Sequence, residues 1–128
     1  MRTLAAFFFA LLASGLVRAA PPSSAVRGEI EALLGKLESS RCEFNRNGGW
    51  YTGADAKAHL FGKLEYLENR TTLRSAEQFI ELAATFSSTS GKPYQVKCSS
   101  STIPSAQWFT NELAVIRATR GQPASAPK

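Results

Sequence analysis

The chain has 128 residues, with 15 Lys and Arg, 10 Asp and Glu, one His and a formal net charge of +5. That length supplies one modest hydrophobic core rather than two. The basic residues alternate with acids, as in "GEIEALLGKLE" and "KLEYLENR", so they read as solvated helix faces and not as the basic stripe of a nucleic-acid binder.

The first element is a processing signal. Arg2 supplies a positive start, Leu4 to Val17 form an apolar run, and "VRA" ending at Ala19 offers small residues for cleavage. This layout predicts a secretory signal peptide over residues 1–19. A membrane anchor is the alternative, but about 14 apolar residues fall short of the roughly 20 that span a bilayer. A buried core helix is disfavoured because Pro21-Pro22 severs the run from the rest of the chain. No lipid-attachment cysteine comes after it, so no stable membrane insertion is expected after cleavage. The expected compartment is the periplasm of a Gram-negative bacterium. The exported chain would begin at Ala20 and lose Arg2 and Arg18, which leaves about +3 of charge.

Residues 20–25 read as a linker and 26–119 as a single domain. Val26, Ile30, Leu33, Leu34 and Leu37 form one helical stripe. Cys42 and Phe44 then alternate with Glu43 and Asn45, and Asn47-Gly48 is a strong hairpin signal before a short return strand at Trp50-Tyr51. Thr52 caps a second helix with inward Ala56, Leu60, Leu64 and Leu67, broadened by Phe61; Asp55 stands three residues after the cap. Ser75 and Gln78 make a capping box for a third helix with Ala76, Phe79, Ile80, Ala83 and Phe86 inward. "SSTSGKP" stops it, with Gly91 as a left-handed residue and Pro93 as the breaker. Tyr94, Val96 and Cys98 alternate as a third strand, "SSSTIP" reads as a loop, and Phe109, Leu113 and Ile116 mark a last helix from about Ser105 to Ala118. Residues 120–128 have nothing to bury and are expected to form a disordered tail.

Export favours pairing the two cysteines, Cys42 and Cys98, as a structural disulfide. Two cysteines and one histidine fall short of a four-ligand zinc set, so no metal is expected. The spacing is unlike a C-x-x-C redox pair. The disulfide places the third strand beside the first. The expected fold is a small α+β domain of order α-β-β-α-α-β-α, a three-stranded antiparallel sheet packed by about four helices, with one disulfide.

The motifs "FNRNG" (Phe44 to Gly48), "AKAHLFGKLEY" (Ala56 to Tyr66), "AEQFI" (Ala76 to Ile80) and "SSTSGKPYQVK" (Ser87 to Lys97) resemble the YfeK-like family of small exported bacterial proteins. The resemblance covers Glu29 to Arg117. It implies a periplasmic location and supplies no activity.

Chemistry-bearing residues are few. His59 is the only histidine and shares a helical stripe with Lys63, Tyr66 and Arg70. It is the sole imidazole available as a general base, and Ser87, Ser88 or Ser90 would be its nucleophile if their loop folds nearby. "SSTSGKP" is not a phosphate loop, because Phe86 replaces the first glycine and Pro93 comes after Lys92 in place of Ser or Thr. Arg46, Asn47, Trp50 and Tyr51 surround the hairpin turn, where arginine and aromatics suit recognition. In a scaffold role, Trp50 and Tyr51 would cover the sheet and Arg46 would pair with an acid such as Asp55. The leading expectation is a non-enzymatic binding or protein-interaction domain of the cell envelope, without a cofactor. It would engage an envelope protein or polymer through Arg46, Asn47, Trp50, Tyr51, His59 and Lys63. The alternatives are a small hydrolase or transferase built on His59 and the Ser87–Ser90 loop, and a structural envelope protein.

Overall fold

Local signals start most of the elements. In the computed structural model, which describes residues 19–121, helix α1 spans Ser24–Ser39. Ser23 caps it, its hydroxyl accepting from the Val26 N–H at 3.2 Å. Most of the expected signal peptide (1–19) and of the expected tail (120–128) lies outside the described residues. Strand β1 (Glu43–Arg46) and strand β2 (Gly49–Thr52) form an antiparallel hairpin with Arg46 opposite Gly49. Asn47 and Gly48 both have positive φ, 53° and 83°, the twist a two-residue hairpin turn needs. Helix α2 runs Gly53–Glu68, with Thr52 accepting from the Asp55 N–H at 3.1 Å. Helix α3 runs Ala76–Ala83, capped in the same way by Ser75 on Gln78.

Strand β3 (Gln95–Cys98) pairs antiparallel with β1, with Glu43 opposite Lys97 and Phe44 opposite Val96. One step further along, Cys42 and Cys98 are joined as a disulfide with Cα atoms 4.4 Å apart. The α+β class, the four helices on an antiparallel sheet and the disulfide therefore stand as expected.

The strand count does not. Residues Ser101–Pro104 form a fourth strand, β4, on the outer edge of β3, giving the sheet order β2-β1-β3-β4 and the chain order α-β-β-α-α-β-β-α. The turn between β3 and β4 puts Ser99 at φ 56°, a left-handed conformation without the glycine or asparagine that would announce it. Helix α4 (Ser105–Gly121) begins at once.

The helices cover one face of the sheet. Ile30, Leu33, Leu34 and Leu37 of α1 are buried, and α1 packs against α2, α3 and α4. Phe44, Tyr94 and Val96 close the core from the sheet side, and Trp108 joins Phe109, Leu113 and Ile116 from α4. Phe86 departs from expectation: α3 ends at Ala83, the stripe stops there, and the ring is 52% exposed. Gly91 has the positive φ expected (70°), but its amide donates to Ser87 in a separate turn and does not close the helix. Ion pairs tie the helices from outside. Arg117 of α4 bonds both Glu29 of α1 and Glu77 of α3, and Arg27 of α1 bonds Glu68 of α2.

Candidate functional site

Alternation along β1 decides which hairpin residues can act together. Phe44 faces the helices, so Arg46, two residues on, points to the same side, as does Tyr51, which pairs with Phe44. Asn45 and its partner Trp50 face away. Trp50 is 41% exposed on the uncovered side of the sheet, where the Lys97 ammonium sits 4.5 Å from its ring centre. Arg46 lies over the Tyr51 ring at 4.8 Å. It makes no ion pair with Asp55 or any other acid among the described residues.

Arg46 turns instead to α2. Its Nη1 donates to His59 Nδ1 at 2.9 Å. A guanidinium only donates, so Nδ1 must accept, and the proton of neutral His59 belongs on Nε2. Nε2 lies 3.3 Å from the Tyr94 hydroxyl and donates to it. One turn along α2, the Lys63 ammonium donates to the same hydroxyl at 3.3 Å and to the Phe86 carbonyl at 3.2 Å. Arg46, His59, Tyr94 and Lys63 thus form one chain of contacts linking β1, α2 and the residue that leads into β3.

The connection between α3 and β3 forms the facing wall. Ser87 is buried; its Oγ accepts from the Thr89 and Ser90 amides and pairs with the Thr89 hydroxyl. The Ser90 hydroxyl donates to Asn47 Oδ1 at 2.5 Å, fastening this loop to the hairpin tip. Between the walls lies a cleft of about 680 Å³, the size of small-molecule sites. Arg46, Asn47, His59, Lys63, Ser87 and Tyr94 line its polar part, and Tyr66, Leu67 and Leu82 its apolar part. The lining contains no carboxylate.

Electrostatics reflect this crowding. Desolvation, then the charges of Arg46 and Lys63, hold the His59 imidazolium below its usual pKa, so the ring is neutral near pH 7. Desolvation and Arg46 likewise lower Lys63. Burial raises the Tyr94 phenol, which stays protonated. The His59 Cε1–H resonance should therefore titrate below 6.5, and Arg46→Ala should move its midpoint part of the way back; a midpoint at or above 6.5 in the native protein would contradict the geometry. Because the folded value is the lower one, the contribution of His59 to stability is complete above the ordinary value near 6.5. It is lost as the pH falls from there through the folded value.

The structure thus gathers Arg46, Asn47, His59, Lys63, Ser87 and Ser88 around one cleft and fastens Ser90 to its rim. It places Trp50 on the opposite face of the sheet, and Tyr51 under Arg46. No serine hydroxyl is within hydrogen-bond distance of either His59 nitrogen among the described residues; those nitrogens meet Arg46 and Tyr94. Tyr94, Leu67 and Leu82 are site residues that sequence reasoning did not single out. Among the described residues no group of three or more His, Cys, Asp or Glu comes together as a metal site, and no helix is long and apolar enough to cross a membrane.

The fold and cleft define a small disulfide-linked α+β domain with a cationic, aromatic-lined groove. A family model, described as a family of unknown function (DUF5329), matches residues 24–117, and the chain belongs to that family. This corrects the resemblance to the YfeK-like family. The motifs that carried it are a hairpin turn, capped amphipathic helices and a proline-stopped turn, features that unrelated α+β chains share for the same physical reasons. No curated protein and no solved structure matches the chain.

Proposed function

We propose that this is an exported, periplasmic binding protein that holds its ligand non-covalently in the cleft between α2, β1 and the α3–β3 connection. The observation that carries the reading is the convergence of Arg46 and Lys63, without a carboxylate partner, on the His59–Tyr94 pair in a cleft of ligand size. Two cations held close together repel each other, and both must give up water to stay there. A fold tolerates that arrangement most readily when something anionic occupies the space between them. Hydrolysis or transfer by His59 and a Ser87–Ser90 hydroxyl has less support, because both imidazole nitrogens are engaged and Ser87 Oγ is occupied by the turn it caps. Export is supported by the sequence layout before Ala20 and by the Cys42–Cys98 bond, which suits an oxidising compartment.

Two measurements test the proposal. Expressed as the full chain in a Gram-negative host, the protein should appear in the periplasmic fraction without residues 1–19 and without an alkylatable thiol. A full-length, reduced, cytoplasmic product would refute the location. For binding, the 15N-labelled protein is mixed with a low-molecular-weight extract of the envelope. Amide shifts should concentrate at His59, Lys63, Ser87 and Tyr94, and an unchanged spectrum at those positions would remove the cleft as the site.

A further inference from the structure

The two parts of the cleft specify two parts of a ligand. On the polar side, Arg46 uses one of its five N–H groups on His59, and Lys63 uses two of its three on Phe86 and Tyr94. Both side chains line a cleft that contains no acid to receive their remaining donors. They match a terminal oxyanion, which a guanidinium and an ammonium grip from two directions. On the other side, large apolar side chains gather where solvent would ordinarily exclude them. Five are strongly exposed among the described residues, and three of these belong to this region. Tyr66 and Leu82 line the cleft, and Phe86 stands at its edge, its carbonyl bonded to Lys63. The other two, Trp50 and Val115, lie elsewhere in the fold, which makes the cluster a local feature rather than a general property of the surface. Arg70 stacks on the Tyr66 ring with its guanidinium carbon 3.6 Å from the ring centre, holding the aromatic wall in place.

We infer that the cleft takes a small amphiphilic anion, with its carboxylate or phosphate between Arg46 and Lys63 and its apolar chain or ring along Tyr66, Leu67 and Leu82. The inference rests on the cleft being a binding site and adds the chemical class of what it binds. Neutral His59 and Tyr94 line the cleft beside the two cations and add no charge to it. Bound anion would favour the charged form of Lys63, so affinity falls as the pH rises through its lowered pKa.

The test is an NMR titration of the purified protein with four probes: octyl phosphate and octanoate, both kept monomeric, 1-octanol and inorganic phosphate. At least one amphiphilic anion should bind in the cleft about tenfold or more tightly than either 1-octanol or phosphate. Arg46→Gln, Lys63→Gln and Leu82→Asp should each weaken it by a similar factor, and Trp50→Ala, on the far side of the sheet, should leave it unchanged. Thermal melting of each variant identifies any that fails to fold; Leu82 is exposed, so its variant keeps the test open if the others do not survive. Phosphate binding as tightly as octyl phosphate would overturn the apolar half of the inference, and 1-octanol binding as tightly would overturn the anionic half. Sedimentation with anionic phospholipid vesicles, while the monomeric probes leave the cleft unshifted, would overturn it in favour of membrane docking. If all four probes fail and the envelope extract still shifts the cleft amides, the ligand class is wrong and the binding reading survives. If the extract fails as well, both fall.

Discussion

Replacing Cys42 and Cys98 together by alanine should lower the stability of the folded protein by about 4 kcal/mol, the chain-entropy value for a loop of this length. A domain of this size has only about 5–15 kcal/mol in all. The bond joins the residue before β1 to the end of β3, so its loss leaves the central pair of strands held by their backbone ladder and by packing against the helices. At roughly 4–8 °C per kcal/mol, the melting temperature should drop by roughly 15–30 °C. Circular dichroism of the double variant, and of the native protein with and without reductant, measures this. A fall of only a few degrees would mean that the backbone ladder and packing suffice to hold β3 beside β1.

Gly53→Ala should also destabilise the protein, by less and for an unrelated reason. A Cβ at Gly53 would lie 2.2 Å from the Leu37 carbonyl oxygen and 3.0 Å from its carbon. Those are backbone atoms at the end of α1, so no rotamer change relieves the clash, and the start of α2 must move away from α1. Overpacking of this kind costs about 1–3 kcal/mol, against a helix-propensity benefit of at most about 1 kcal/mol. Gly35→Ala in α1 supplies the contrast, because nothing lies within 4 Å of its added methyl. Removing a glycine from that helix should raise stability by about 0.5–1 kcal/mol. Chemical denaturation of the two variants should therefore give changes of opposite sign. A Gly53→Ala protein as stable as the native one would show that the α1–α2 approach is looser than described.

The sequence made the turn at Asn47-Gly48 and the caps at Thr52 and Ser75 legible because each depends on neighbours within three or four residues. β4 was not legible, since Ser99 takes its left-handed turn without a residue type that signals one, and "SSSTIP" carries no alternating apolar pattern. Gly53 announced nothing either, because what it accommodates is a carbonyl 16 residues earlier in the chain. The site lay in between. His59, Lys63, Tyr66 and Arg70 share a stripe that spacing alone revealed, but their partner Tyr94 looked like one more core residue of β3. The expected disulfide held the missing clue. Stepping two residues at a time from Cys42 and Cys98 along antiparallel strands gives Phe44 opposite Val96, and then Arg46 beside Tyr94. Trp50 went the other way for the same reason of alternation: it neighbours the site in sequence and is separated from it by the sheet.

The position of α1 bears on when the protein can acquire its structure. The first helix to be synthesised among the described residues is the one that touches all three of the others, including α4, which is the last. The face of α1 that carries Ile30, Leu33, Leu34 and Leu37 therefore lacks one of its partners until α4 has been made. Long-range closure of this kind delays completion of the core until α4 is available. A core that closes only when its first and last helices meet leaves the segments between them without a finished partner surface until then.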